Sequence, residues 1–225
     1  RDGRDPVTGL TLPAVINASG EQHWYKDGER HRDDRDPETG LTLPAQIWGN
    51  GAQWWYKEGK LHRDDRDPET GLTLPARIWA DGSQSWYKEG KHHRDDRDPE
   101  TGLTLPAIIW AHGTQEWHKE GEVHRDDRDP ETGLTLPAVI WEDGTQFWCK
   151  DGKYHRDDRD PETGLTLPAI IYEDGTMLWH KDGKRHRDDR DPVTGLTLPA
   201  YIYADGTLCW YIEGLRIDPP VIKAS

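Results

Sequence analysis

Ile140-Trp141-Glu142-Asp143-Gly144-Thr145-Gln146-Phe147-Trp148-Cys149-Lys150-Asp151-Gly152-Lys153-Tyr154-His155-Arg156 carries two Asp-Gly steps eight residues apart, each between short apolar or aromatic runs. Asp-Gly is favoured in two-residue type I′ turns, where both central residues need positive φ and the strands on either side return antiparallel. Upstream, Leu134, Leu136, Ala138 and Ile140 alternate with Thr135, Pro137, Val139 and Trp141, which is strand periodicity. Downstream, Asp157 to Gly164 is polar, and its Asp-Pro and Thr-Gly steps mark a loop. The stretch therefore reads as strand, tight turn, strand, tight turn, short strand and loop, with no helical period.

The same text recurs. Arg-Asp-Pro-x-Thr-Gly-Leu-Thr-Leu-Pro-Ala starts at Arg4, Arg35, Arg66, Arg97, Arg128, Arg159 and Arg190, a strict 31-residue period without insertions. Fixed self-similarity of this length marks an array in which each unit buries its apolar side on its neighbours. The expected fold is all-β: an elongated array of stacked β-hairpins forming a single-layer twisted sheet. Seven units span residues 1–217, and residues 218–225 form a tail or cap. A β-solenoid with one coil per repeat is the alternative, and the Asp-Gly turns favour hairpins over solenoid corners.

A mean hydropathy of −1.02 suggests disorder, but twelve Trp and eight Tyr placed periodically argue for a thin aromatic core. The net charge of −14, spread at about −2 per repeat, argues against nucleic acid, which needs a basic stripe. No apolar run is long enough to cross a membrane and no signal peptide is present. The chain opens without Met and inside a repeat, as a mature product or an excerpt would. Cys149 and Cys209 occupy different positions two repeats apart and read as unpaired thiols.

Comparing the copies splits the unit. The fifteen residues from His to Ala are identical in the copies starting at His31, His62, His93, His124 and His155. The hairpin half drifts at Val15, Gln46, Arg77, Ile108, Val139, Ile170 and Tyr201, and at His23, Trp54, Ser85, Glu116, Phe147, Leu178 and Cys209. Such tolerance is expected of exposed positions. Within the drifting half two apolar columns stay fixed: Ile16, Ile47, Ile78, Ile109, Ile140, Ile171 and Ile202, and Trp24, Trp55, Trp86, Trp117, Trp148, Trp179 and Trp210. These are the expected core. Burying one Trp and one Ile would contribute about 4–5 kcal/mol per repeat before entropy.

Ile140 to Arg156 resembles a MORN repeat, through Trp141, Asp143, Gly144, Trp148, Gly152 and His155. The family resemblance implies stacked β-hairpins acting as scaffolds, dimerisation surfaces or membrane-associated modules. The unit departs from the family where Arg156 replaces a Gly, in a Trp-to-Gly spacing one residue longer, and in the extra Arg-Asp-Pro-Glu-Thr-Gly-Leu-Thr-Leu segment. The membrane role does not transfer, because nothing here is basic enough to seek anionic lipid.

Little in the unit suggests chemistry, and no nucleophile–base pair or phosphate loop stands out, so a non-enzyme is expected. Asp64, Asp65, Asp67 and Glu69 offer a weak Ca²⁺ loop, without the usual ligand spacing and with Arg neighbours. The plainer expectation is an Arg–Asp ladder in which Arg63 and Arg66 pair with acids of their own and adjacent loops. His62, His93, His124 and His155 are expected to anchor the loop by a hydrogen bond and not to ligate a metal. No cofactor is expected beyond that weak Ca²⁺ candidate. Asn17-Ala18-Ser19 is a sequon that would carry a glycan in a secreted protein.

The ends decide the expected function. The chain starts and stops at one phase of the repeat, and the last unit becomes more apolar at Ile212, Leu215 and Ile217, followed by Val221 and Ile222. Phase-matched open edges suit head-to-tail contact. The leading expectation is a structural protein that forms or extends a surface or extracellular fibre, at the cell or virion surface. The alternative is a monomeric scaffold that holds a protein or glycan partner on its variable hairpin face, with the cytoplasm as the alternative location.

Overall fold

The computed structural model describes residues 3–220, so Val221 and Ile222 lie outside the described residues. The chain is all β, and it clusters into two units, Arg1–Gly113 and Thr114–Ser225. In the first, seven two-residue strands form one antiparallel ladder: Val15–Ile16, Gln22–His23, Gln46–Ile47, Gln53–Trp54, Arg77–Ile78, Gln84–Ser85 and Ile108–Ile109. In the second, the ladder runs Gln115–Glu116, Val139–Ile140, Gln146–Phe147, Ile170–Ile171, Met177–Leu178, Tyr201–Ile202, Leu208–Ile212 and Leu215–Ile217. Each repeat supplies one hairpin, and its second strand pairs with the first strand of the next repeat. His23 thus faces Val15 of its own hairpin and Gln46 of the following one. This antiparallel pairing makes a hairpin array and overturns the solenoid alternative.

The two turns are of different kinds. In the ladder turn, Gly144 N–H donates to Trp141 O at 3.0 Å and Trp141 N–H to Thr145 O at 2.9 Å. Only Gly144 has positive φ (92°), so this is a type I turn closed by a glycine bulge and not the expected I′ turn. The Asp143 carboxylate accepts the Thr145 N–H at 2.8 Å, which selects Asp for local hydrogen bonding and not for left-handed backbone. At Asp151-Gly152 both residues have positive φ (50° and 72°), a true I′ turn that closes the small sheet Cys149–Lys150/Lys153–Tyr154. These second hairpins stack on one another: Gly59 N–H donates to Arg30 O, and Gly183 N–H to Tyr154 O.

The core differs from the expected one. The Trp column is buried from Trp24 to Trp179 at 4–6% exposure, with Trp210 half-buried. The Ile column is only half-buried, and Ile16 is 65% exposed. The innermost residues are instead Ala45, Ala76, Ala107, Ala138, Ala169 and Ala200, at 0–1%. Ala45 N–H donates to Trp54 O while its carbonyl accepts from Trp24 N, so it sits where consecutive hairpins meet. Apart from Val15, the drifting positions are not exposed either: Gln46, Ser85, Ile108, Phe147, Ile170, Leu178 and Tyr201 are buried and the others half-buried or buried. Each drifts because it meets its own local partner across the ladder, as Trp54 meets Arg77, whose guanidinium lies 3.7 Å from the indole centroid.

Candidate functional site

The invariant half builds a junction between consecutive repeats. The Trp55 indole N–H donates to Thr42 O at 2.7 Å, fixing the ring against the strand that precedes it. The Arg63 guanidinium stacks on that ring at 3.9 Å, with Nε donating to Asp65 at 3.0 Å and Nη1 to Pro75 O at 3.3 Å. Asp65 then reaches back one repeat, accepting the Thr42 amide and hydroxyl, each at 2.9 Å. The side chains of Arg63 and Asp65 are only 7% and 5% exposed. The same Trp–Arg stack recurs at Trp24, Trp86, Trp117, Trp148 and Trp179. At Trp210 the corresponding position is Asp218, so that column supplies no guanidinium for the ring.

The Arg–Asp ladder is present, but its inner member is a buried pair and not an exposed one. Arg63 pairs within its own loop, and Arg66, which is largely exposed, contacts Asp96 of the next repeat at 3.4 Å. Burial lowers the Arg63 guanidinium from its ordinary value, against the pull of Asp65. In the equivalent pair, burial lifts the Asp96 carboxyl, but the Thr73 hydroxyl, Arg94 and the Thr73 amide outweigh it and leave it below the usual carboxylate range.

The four acids proposed for Ca²⁺ turn to separate tasks. Asp64 holds Lys57 and His62, Asp65 holds Arg63 and Thr42, and Asp67 caps its loop by accepting from the Glu69 amide and the Thr70 amide and hydroxyl. Glu69 is exposed. Those hydrogen bonds hold the Asp67 carboxyl below its ordinary value. Among the described residues no group of three or more His, Cys, Asp or Glu converges as a metal site.

The histidines bridge repeats. His62 Nδ1 accepts the Glu89 N–H at 3.1 Å while Nε2 lies 2.7 Å from Asp64, which fixes the Nε2–H tautomer. His124 and His155 likewise accept from Asp151 and Asp182 at 3.1 Å. His93 stands 2.8 Å from Asp95. The partner in each bond is the first residue of an I′ turn, held at φ near 50° even where it is Glu. A left-handed Glu costs about 1–2 kcal/mol, and the imidazole stabilises the N–H that this conformation presents.

Sequence reading missed a second latch on the opposite side of the unit. Thr145, 1% exposed, accepts the Glu173 N–H of the next repeat through its hydroxyl at 3.2 Å, and Thr176 accepts from Ala204 at 3.1 Å. Where the first two repeats meet, Gly49 lies against the Ser19 carbonyl, and a methyl there would collide with it. The signal was a Ser or Thr after most ladder-turn glycines.

The constant face forms small clefts between repeats. One of about 240 Å³ is lined by His31, Arg35, Lys57, His62 and Asp64, and one of about 290 Å³ by Arg125, Arg128, Lys150 and Asp157. Lys57 is ion-paired with Asp64 at 2.8 Å, and Arg35 is bonded to Gly40 O at 2.7 Å. The lining thus serves the loops themselves.

The terminal ladder strands carry apolar side chains. Among the described residues Val15–Ile16 pairs with its own hairpin partner alone, and Val15 is 40% and Ile16 65% exposed. In the last repeat Leu208 is 42%, Leu215 73% and Ile217 37% exposed, while Ile212 is half-buried. Asn17 is exposed in the first ladder turn, and its amide donates to Glu21 at 2.9 Å.

No known protein-family model matches the chain, and no curated protein matches it either. What the chain can be assigned to is a class of architecture: a tandem β-hairpin repeat protein. No helix among the described residues is long and apolar enough to cross a membrane.

Proposed function

We propose that this protein is a non-enzymatic structural element, a MORN-like array that lengthens by head-to-tail addition of identical chains at a cell, virion or extracellular surface. The observation that carries the reading is the likeness between the open edges and the junction already built between repeats. Inside the chain, the second ladder strand of one repeat faces the first strand of the next, with Leu178 opposite Tyr201 and Met177 opposite Ile202. By the same register Leu208 of one copy would face Ile16 of another, and Cys209 would face Val15. Two exposed apolar side chains would then cover each other.

The contact between copies would be weaker than the internal junction. Gly3 stands in the column of Asp34 and Asp65, so the incoming copy brings no carboxylate for the Thr197 amide and hydroxyl. Assembly should therefore be reversible and depend on concentration. Sedimentation velocity over a wide concentration range tests it: growth of species by mass action supports addition, and monomers throughout overturn it. Gly3→Asp should strengthen assembly about tenfold, since a buried charge-assisted hydrogen bond contributes about 1.5–3 kcal/mol. A Cβ at Gly3 meets only Leu12 Cδ1, at 3.5 Å, so the variant fits.

A further inference from the structure

The second unit carries an aromatic seam that no part of the assembly reading uses. Trp141 packs on Phe147 at 4.8 Å, Phe147 on Tyr154 at 5.8 Å, Tyr154 on His180 at 5.6 Å, His180 on Tyr201 at 5.8 Å, and Tyr201 on Tyr203 at 5.9 Å. Phe147 and Tyr201 form a buried floor, whereas Trp141, Tyr154 and Tyr203 stay 45%, 42% and 38% exposed. Contiguous rings left this open at the surface suit contact with a ligand. At the repeat position of Trp141 and Tyr203 stands Tyr172, so the hairpin tips offer one aromatic residue per repeat, spaced by two strand separations of about 9.5 Å.

We propose that this seam binds a neutral β-linked polysaccharide, its pyranose faces stacking on the tip rings Trp141, Tyr172 and Tyr203, with Tyr154 beside them. Three features select that occupant. Glu142, Asp143, Glu173, Asp174 and Asp205 flank the rings at the same tips, so anionic glycans and nucleic acids are repelled. A second copy laid on this face would bring its own −14 charge. Finally, one ring per two strand separations is close to the length of two β-1,4-linked pyranose units, so a single extended chain can meet successive rings. Half-exposed rings with hydroxyl groups suit a ligand that is apolar on its faces and polar on its rim.

Native electrophoresis in gels containing hydroxyethyl cellulose tests the seam, with polygalacturonate gels and a proline-rich peptide titration as the other arms. The expected result is retardation by the neutral polymer alone. The double variant Trp141→Ala/Tyr203→Ala should weaken it about tenfold or more, while Val193→Ser, exposed at 91% on the constant half, leaves it unchanged. Circular dichroism confirms that each variant is folded, and Tyr154→Ala gives a second probe should the double variant fail to fold. No retardation, equal retardation of the folded seam variants, or binding only to polygalacturonate or to the peptide overturns the proposal. Because binding is read on monomeric chain, its failure is distinct from a failure of end-to-end assembly.

Discussion

The Arg94 guanidinium lies 3.9 Å above the Trp86 indole while its Nε donates to Asp96 at 3.1 Å, and Asp96 in turn accepts the amide and hydroxyl of Thr73, 23 residues earlier. One buried cation thus ties the Trp86 ring to the backbone at Thr73, and its Nη1 also donates to Pro106 O at 3.2 Å. This relation helps explain why the His-Arg-Asp-Asp-Arg-Asp stretch does not drift: its His, Arg and second Asp reach residues more than ten positions away, while its first and last Asp hold the loop of their own copy.

Removing that cation leaves the buried Asp96 with only the exposed Arg66 guanidinium, 3.4 Å away, to balance its charge. Arg94→Leu should cost about 3–5 kcal/mol. Arg94→Lys should recover little, because an ammonium cannot both stack flat and hold two bonds in a fork. Urea unfolding of the chain and the two variants checks the order. Equal stability of the Lys variant and the parent would contradict it.

Glu89 occupies the first position of an I′ turn at φ 51°, where Asn is far better accommodated. Glu89→Asn should raise stability by about 0.5–1 kcal/mol while keeping the N–H that His62 accepts. A thermal melt showing a fall in Tm would refute this account of the turn.

Burial, aided by Arg185, lowers the His180 pKa to about 4. Its unfolded value is about 6.5, so between these limits the unfolded chain binds the extra proton, and stability falls as pH drops through that window. With the ring half-buried, the screened loss is about 1–2 kcal/mol. His180→Tyr, the residue at this position in Tyr25, Tyr56 and Tyr87, should flatten stability from pH 6.5 to pH 4. Below pH 4 both proteins should lose stability steeply, because the lowered pKa values of Asp96, Asp158 and Asp189 stabilise only while those groups are ionised. Unfolding titrations across pH 3–7 measure both effects.

Burial pushes the Cys149 thiol up to about 12, whereas Cys209 sits half-buried at the last ladder strand. Alkylation at pH 8 should label Cys209 in the native protein and leave Cys149 for the denatured one. Equal labelling would show that the seam floor around Phe147 opens readily.

The period and the hairpin array were legible in the sequence because glycine columns and alternating apolar residues report backbone directly. What drifted was harder to interpret. Variation between copies suggests exposure only if each column has one environment, yet Gln46 meets Glu21 at 2.8 Å while Trp54 meets Arg77, so interior positions vary with their partners. The Ile column misled for the opposite reason: it is constant although half-buried, and the deepest residue is the unremarkable Ala of Leu-Pro-Ala. The histidine role was legible only as an anchor. Its target, a left-handed Glu in the next repeat, follows from three-dimensional stacking that no local pattern encodes.

End-to-end addition makes the most direct claim, since the internal register sets which residues meet. Val15→Cys in a Cys149→Ser background, mildly oxidised, should form a disulfide between its new thiol and Cys209 of another copy, giving a ladder of linked chains on non-reducing gels. Peptide mapping should find Cys209 joined to position 15. Oxidation that yields only monomers, or dimers linked through Cys209 alone, would contradict the head-to-tail register.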